Sequence, residues 1–243
     1  MFAIESENIV GYQQVSLPGQ GEYALLTPTF TDVGGADSID LTAIAVVKPG
    51  ATSFTSKTKI SVQKMDLTTG GMTDIYRYTT VGGGKWIGPS ADVTVGQVTL
   101  KEGEGLCVFN NDSAGSALSF QFSGTVELKP VSMNIPVGNY SIVGNCTPVT
   151  VDLTKVTPKG ANGTALGTSK TKISIQKIIA STGGMGDLYR YTTAGGGKWI
   201  GPGNVDVTAG QVEFAPGEAM SIYNGDTKVI SIAFPNPLTG EVE

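Results

Sequence analysis

Apolar and polar residues alternate over short stretches of this chain, and glycines interrupt the alternation. From Lys59 to Lys64 the pattern puts Ile60 and Val62 on one side and Ser61 and Gln63 on the other, which predicts a half-buried strand. Asp74–Thr79 is strand-like again, with Ile75 and Arg77 on one face and Tyr76 and Tyr78 on the other. Thr68–Gly71 and Gly82–Gly84 read as turns, and Lys85–Ile87 opens a third strand. Three strands joined by short glycine turns predict an antiparallel meander. Strand-like runs follow at Gln97–Leu100, Leu106–Phe109 and Ala117–Leu128. No 12-residue stretch carries a convincing helical period, so the expected class is all-β. Ile60, Val62, Ile75 and Ile87 are the expected core of the meander.

The meander occurs twice. Ser56–Pro89 and Ser169–Pro202 align without a gap at an offset of 113, with 26 of 34 positions identical. The second copy brings Ile173, Ile175, Leu188 and Ile200 to the same expected core positions. It is followed by strand-like runs at Gln211–Phe214, Ala219–Tyr223 and Val229–Phe234. Both copies are preceded by a Pro, a Gly and a Tyr: Pro18 to Tyr23, and Pro136 to Tyr140. We therefore expect two tandem homologous antiparallel domains, each a β-sandwich or jelly roll, the usual ways in which all-β chains hide their edges. They occupy residues 9–129 and 130–243. Residues 1–8 fall outside the duplicated unit and read as an N-terminal arm.

Composition narrows the function. Hydrophobic residues make up 40% and charged residues 15%, which is too apolar for a disordered chain. The net charge is −5, against nucleic acid as a partner. No apolar run reaches the ~20 residues that span a bilayer, and no charged start followed by an apolar stretch marks a signal peptide. A cytosolic protein or a mature secreted form is expected. The chain has no histidine, which removes His-based triads and acid–base chemistry. Of its two cysteines, Cys107 has Ser221 at the repeated position, so two buried free thiols are expected rather than a bridge with Cys146. No enzyme, cofactor or metal site is predicted.

Few residues remain as candidates. Tyr76, Arg77, Tyr78, Lys85 and Trp86, with Tyr189, Arg190, Tyr191, Lys198 and Trp199, offer aromatic faces for sugar rings and cationic donors beside them. The competing reading is that these aromatics pair across strands and stabilise the meander. Gly82–Gly84 before Lys85 lacks the Ser/Thr and the helix of a phosphate loop. Asp32, Asp37 and Asp40, Asn110 to Asp112, and Asn224 with Asp226 fit turn chemistry better than calcium ligation. Glu102 and Glu104 recur only as Glu218, which is against a pair of catalytic carboxylates.

The order Asn8-Ile-Val-Gly-Tyr12, a Pro-Gly turn, Tyr76-Arg-Tyr-Thr79 with Gly82-Gly-Gly-Lys-Trp-Ile-Gly88, Glu102-Gly-Glu-Gly-Leu106 and Phe122-Ser-Gly-Thr-Val126 resembles secreted bacterial β-domain proteins of the planctomycete–verrucomicrobial group. The chain departs from that pattern at Leu106-Cys107-Val108, where aromatics are usual. The resemblance implies an extracellular or cell-surface role and no chemistry. Polar positions match between the copies as well as apolar ones: Lys57, Lys59, Gln63, Lys64, Arg77 and Lys85 all recur. That match points either to one face presented twice to one kind of neighbour or to a recent gene duplication with uneven repair. The leading expectation is a non-enzymatic, self-assembling structural protein, a surface layer, filament or capsid-like shell, with itself as partner. The alternative is a carbohydrate-binding or adhesion module with glycans as partners.

Overall fold

The structure is a computed structural model that describes residues 10–31, 37–47, 59–113, 118–126, 130–161, 164–167, 169–170, 172–179, 182–236 and 239–240. The chain is all-β, and its sheets are antiparallel. Helix among the described residues is limited to short 3-10 turns. The arm expected at residues 1–8, Asp32 and Lys57 lie outside the described residues.

Residues 10–126 form three sheets. In the first, β1 (Val10–Ser16) pairs β11 (Ser119–Val126), which also pairs β3 (Phe30–Thr31) and β5 (Ala45–Val47). The second has five strands in the order β2 (Glu22–Leu26), β10 (Leu106–Asn110), β6 (Ile60–Lys64), β7 (Tyr76–Thr79), β8 (Lys85–Ile87). The third pairs β4 (Ser38–Asp40) with β9 (Thr99–Lys101).

Residues 131–234 repeat this plan. β12 (Val131–Ile135), β21 (Ile230–Phe234) and β15 (Thr157–Gly160) make one sheet. β13 (Tyr140–Gly144), β20 (Ala219–Asn224), β16 (Ile173–Ile179), β17 (Gly184–Thr192) and β18 (Lys198–Ile200) make the five-stranded sheet. β14 (Val151–Asp152) pairs β19 (Glu213–Phe214).

Each half has its own core, to which both of its larger sheets contribute. Ile60, Val62 and Val108 from the five-stranded sheet meet Phe120 and Phe122 of β11 in the first half. Ile173, Ile175 and Ile222 meet Ile230 and Ile232 of β21 in the second. Alternation along the strands explains this: β10 buries Leu106, Val108 and Asn110 and leaves Cys107 and Phe109 half-exposed.

The expected core is corrected in β7 and β17. Ile75 is 38% exposed, and Ile87 and Leu188 are only half-buried. The tyrosine face turns inward instead: Tyr78 and Tyr191 are buried, and Tyr76 and Tyr189 pack against the cores. The register requires it. Tyr76 stands opposite Val62 and Tyr78 opposite Trp86, both core residues, so the Ile75–Arg77 face must point out.

The halves meet through reciprocal contacts. The Thr27 N–H donates to the Gly217 carbonyl at 2.9 Å, and the Gly144 N–H donates to the Gly103 carbonyl at 2.9 Å. Leu26 bridges Glu218, and Val143 bridges Glu104. Thr27 and Gly144 directly follow and end equivalent strands, and Gly103 and Gly217 sit in equivalent turns, so the relation is a pseudo-two-fold. Leu25, Ile142 and Ala219 are buried there, with Met65, Cys107 and Ile178 packed around them.

Candidate functional site

The aromatic residues singled out from the sequence divide sharply. Trp86 and Trp199 are 1% and 2% exposed. Each donates its indole N–H to a buried carbonyl, Trp86 to Ile44 at 2.9 Å and Trp199 to Val156 at 2.8 Å. Tyr78 stacks edge-on against Trp86 at 5.1 Å between ring centroids, and Tyr191 against Trp199 at 5.2 Å. Neither pair offers a face to a ligand. The reading of Tyr78, Trp86, Tyr191 and Trp199 as sugar platforms is therefore corrected: they are core pillars. The glycine triplet serves the same end. Gly84 and Gly197 have φ of +91° and +95°, and a Cβ at either would collide with the Tyr78 or Tyr191 hydroxyl.

Three of the matched polar residues, Gln63, Lys64 and Lys85, act inside their own half, as do their second-half counterparts. Lys64 pairs with Glu104 at 2.9 Å and Lys177 with Glu218 at 2.7 Å. Lys85 pairs with Asp92 and Lys198 with Asp206, both at 2.5 Å. Gln63 donates to the Thr73 carbonyl and Gln176 to that of Gly186, which ties β6 and β16 to the chain after each turn. For these residues the match between the copies is accounted for by the same ties inside each half.

The Asp and Asn residues serve turns. Asp40 accepts from the Thr42 N–H and Asp152 from the Thr154 N–H, capping equivalent 3-10 turns, and each also accepts from a second loop, at Gly96 and Gly210. Asn110 and Asn224 each accept from the N–H two residues on, at Asp112 and Asp226. Burial raises the Asp152 carboxyl, but the hydroxyl of Thr154, the N–H groups of Gly210 and Thr154, and nearby Lys155 outweigh it and hold the group below its usual range. Asp226 is likewise lowered: burial opposes, and the Gly167 and Thr227 hydrogen bonds with Lys172 prevail. Cys107 and Cys146 are both free thiols.

Arg77 and Arg190 are different. Among the described residues neither side chain has a hydrogen bond or ion pair. Both lie on the outer face of a five-stranded sheet. Strand register runs Tyr23–Phe109–Ser61–Arg77 straight across β2, β10, β6 and β7. The second half runs Tyr140–Tyr223–Ser174–Arg190 across β13, β20, β16 and β17. Directly opposed residues share a face, so each row is one strip beside the contact between the halves, with its serine, its arginine and its second aromatic half-buried. Tyr23 and Tyr140 are 46% and 51% exposed. Tyr23 lies tilted on Phe109 with centroids 4.7 Å apart, and Tyr140 on Tyr223 at 4.8 Å.

These two aromatic pairs were not among the candidates of the sequence. The signal for them was present: a tyrosine follows the Pro-Gly turn ahead of each meander. What the sequence hides is the pairing of β2 with β10, about 80 residues away, which places Phe109 beside Tyr23. Tyr76 and Tyr189 stay half-buried on the core side, their phenols pushed up by burial and by Asp74 and Asp187. No family model, no curated protein and no solved structure matches this chain.

Proposed function

We propose that the chain is a non-enzymatic binding module of a bacterial surface, which holds glycans on the outer faces of its two five-stranded sheets. The observation that carries this reading is the repetition of one row at matched places in both halves: an aromatic pair with an exposed tyrosine, a serine, and an arginine without a partner among the described residues. The apolar face of a pyranose suits an exposed aromatic, and serine and arginine supply directed hydrogen bonds. In this reading each half is a β-sandwich of the jelly-roll kind and serves as a rigid support. The extracellular placement follows the resemblance to secreted β-domain proteins. Among the described residues no helix is long and apolar enough to cross a membrane. Affinity electrophoresis of the full chain in gels cast with polysaccharides tests the reading. Retardation that is lost in the Tyr23→Ala/Tyr140→Ala variant supports it, and unchanged migration in every polymer overturns it.

A second reading, a self-assembling structural subunit, is favoured by β1. This seven-residue edge strand is uncharged, exposes Tyr12, Gln14 and Ser16, and pairs on one side only among the described strands. Unblocked edges of this kind recruit further strands. Light scattering tests it: a particle mass far above one chain, reduced by Gln14→Lys, supports assembly, and a monomer at high concentration ends it.

A further inference from the structure

Four lysines of the repeated block are answered within the fold. Lys64, Lys85, Lys177 and Lys198 each have a carboxylate within 3 Å. Arg77 and Arg190 have none among the described residues, in a chain with 21 acidic against 16 basic residues. Arginine is also the residue least suited to stand idle as a mere point charge. Its planar fork of donors matches the paired oxygens of a carboxylate or a sulfate.

The spacing fits such a ligand. Phe109 and Arg77 are two strands apart, as are Tyr223 and Arg190, which is about 9.5 Å between backbones. Only a serine, Ser61 or Ser174, stands between them. A sugar ring lying on the aromatic pair covers roughly the first strand spacing. An acidic substituent at its edge then lies above the serine, where a guanidinium reaching back along the row meets it. The serine is small enough to leave that path open, and its hydroxyl can serve the ring oxygens. A larger side chain there would fill the gap.

We propose that the two rows bind acidic glycans, with a sugar face on Tyr23–Phe109 or Tyr140–Tyr223 and its carboxylate or sulfate on Arg77 or Arg190. This rests on the glycan reading above. The net charge of −5 works against indiscriminate attraction of polyanions, so retention of an acidic polymer requires a local site.

Paired polymers test it with the full chain. Polygalacturonate is compared with its methyl ester, and dextran sulfate with dextran. The expected result is a preference of about tenfold or more for the acidic member of one pair, the size of effect a charge-assisted hydrogen bond supplies. The pair that shows it tells carboxylate from sulfate. Arg77→Gln/Arg190→Gln should erase the preference, so that both members of that pair are retained alike. Arg77→Lys/Arg190→Lys, which keeps the charge and loses the fork, should retain only part of it and guards against a folding defect in the Gln variant. Equal binding of both members of both pairs, or a preference that survives the Gln variant, overturns the acidic assignment and leaves the glycan reading intact. Binding of no polymer overturns both.

Discussion

The Lys64 ammonium lies 2.9 Å from a Glu104 carboxylate oxygen, and the Glu104 side chain is only 5% exposed. Its other oxygen accepts from the Lys101 N–H at 3.0 Å. The second half repeats the pair as Lys177 and Glu218 at 2.7 Å, but there the carboxylate side chain is 32% exposed. The same ion pair therefore stands in two solvent environments, and it should matter unequally.

Removing a cation from a buried carboxylate leaves a charge without compensation, which costs about 3–5 kcal/mol. An exposed pair contributes about 0.2–1 kcal/mol. Lys64→Met should lower the unfolding midpoint in urea clearly, and Lys177→Met should shift it little. Equal shifts would show that the burial of Glu104 has no energetic weight.

The correction in β7 gives a second comparison. The sequence assigned Ile75 and Leu188 to the core, where truncation costs about 2–5 kcal/mol. With Ile75 38% exposed, Ile75→Ala should instead cost about 0.5 kcal/mol or less. Val62→Ala, beside it in the sheet and 1% exposed, should show the loss expected of a core residue. Chemical denaturation of the two variants checks this. A large cost at Ile75 with a small one at Val62 would mean that the strand faces are reversed.

That error shows where sequence reasoning stopped. The meander strands β6, β7 and β8 were legible because their turns are short and glycine-marked, and their ends shift by only a residue or two. The two-fold repetition was legible from the constant offset. The facing of β7 was not, because Ile75-Tyr-Arg-Tyr78 alternates two residue types that can each be buried. Tyrosine takes the inside because it meets Trp86 edge-on and because Gly84 makes room for its hydroxyl. The rows were hidden for another reason. Their members come from four strands, and the closing neighbour of β6 is β10, which no local pattern reveals.

Acid should weaken the second half through Asp152 and Asp226. Both carboxyls are held below their ordinary value by hydrogen bonds that outweigh burial. A group whose folded pKa is depressed adds stability above its unfolded value, near 3.8 to 3.9, and loses it as pH falls through the folded one. The midpoint of thermal unfolding should therefore be flat near neutrality and fall from about pH 5 downward. Asp152→Asn and Asp226→Asn should start lower at pH 7 and fall less steeply. A variant as steep as the parent would place the acid sensitivity elsewhere.

The interface between the halves can be watched through one thiol. Cys107 is half-buried beside Leu25 and Ile142, and burial pushes its thiol up. A raised pKa leaves less thiolate at neutral pH, and the thiolate is the species that reacts. Cys146 is 3% exposed and shielded by the fold itself. Both should react slowly with iodoacetamide at pH 7.5 in the native protein. Ile142→Ala removes the side chain that faces Cys107 from the other half without touching the core behind β10. Cys107 should then be modified several-fold faster while Cys146 stays protected, as mass spectrometry of the digested protein would resolve. If Cys107 of the unaltered chain reacts at the rate of a free thiol, the halves are not closed on each other. If instead Ile142→Ala accelerates both thiols equally, the variant has loosened the second half as a whole, and the contact with Cys107 is not what Ile142 protects.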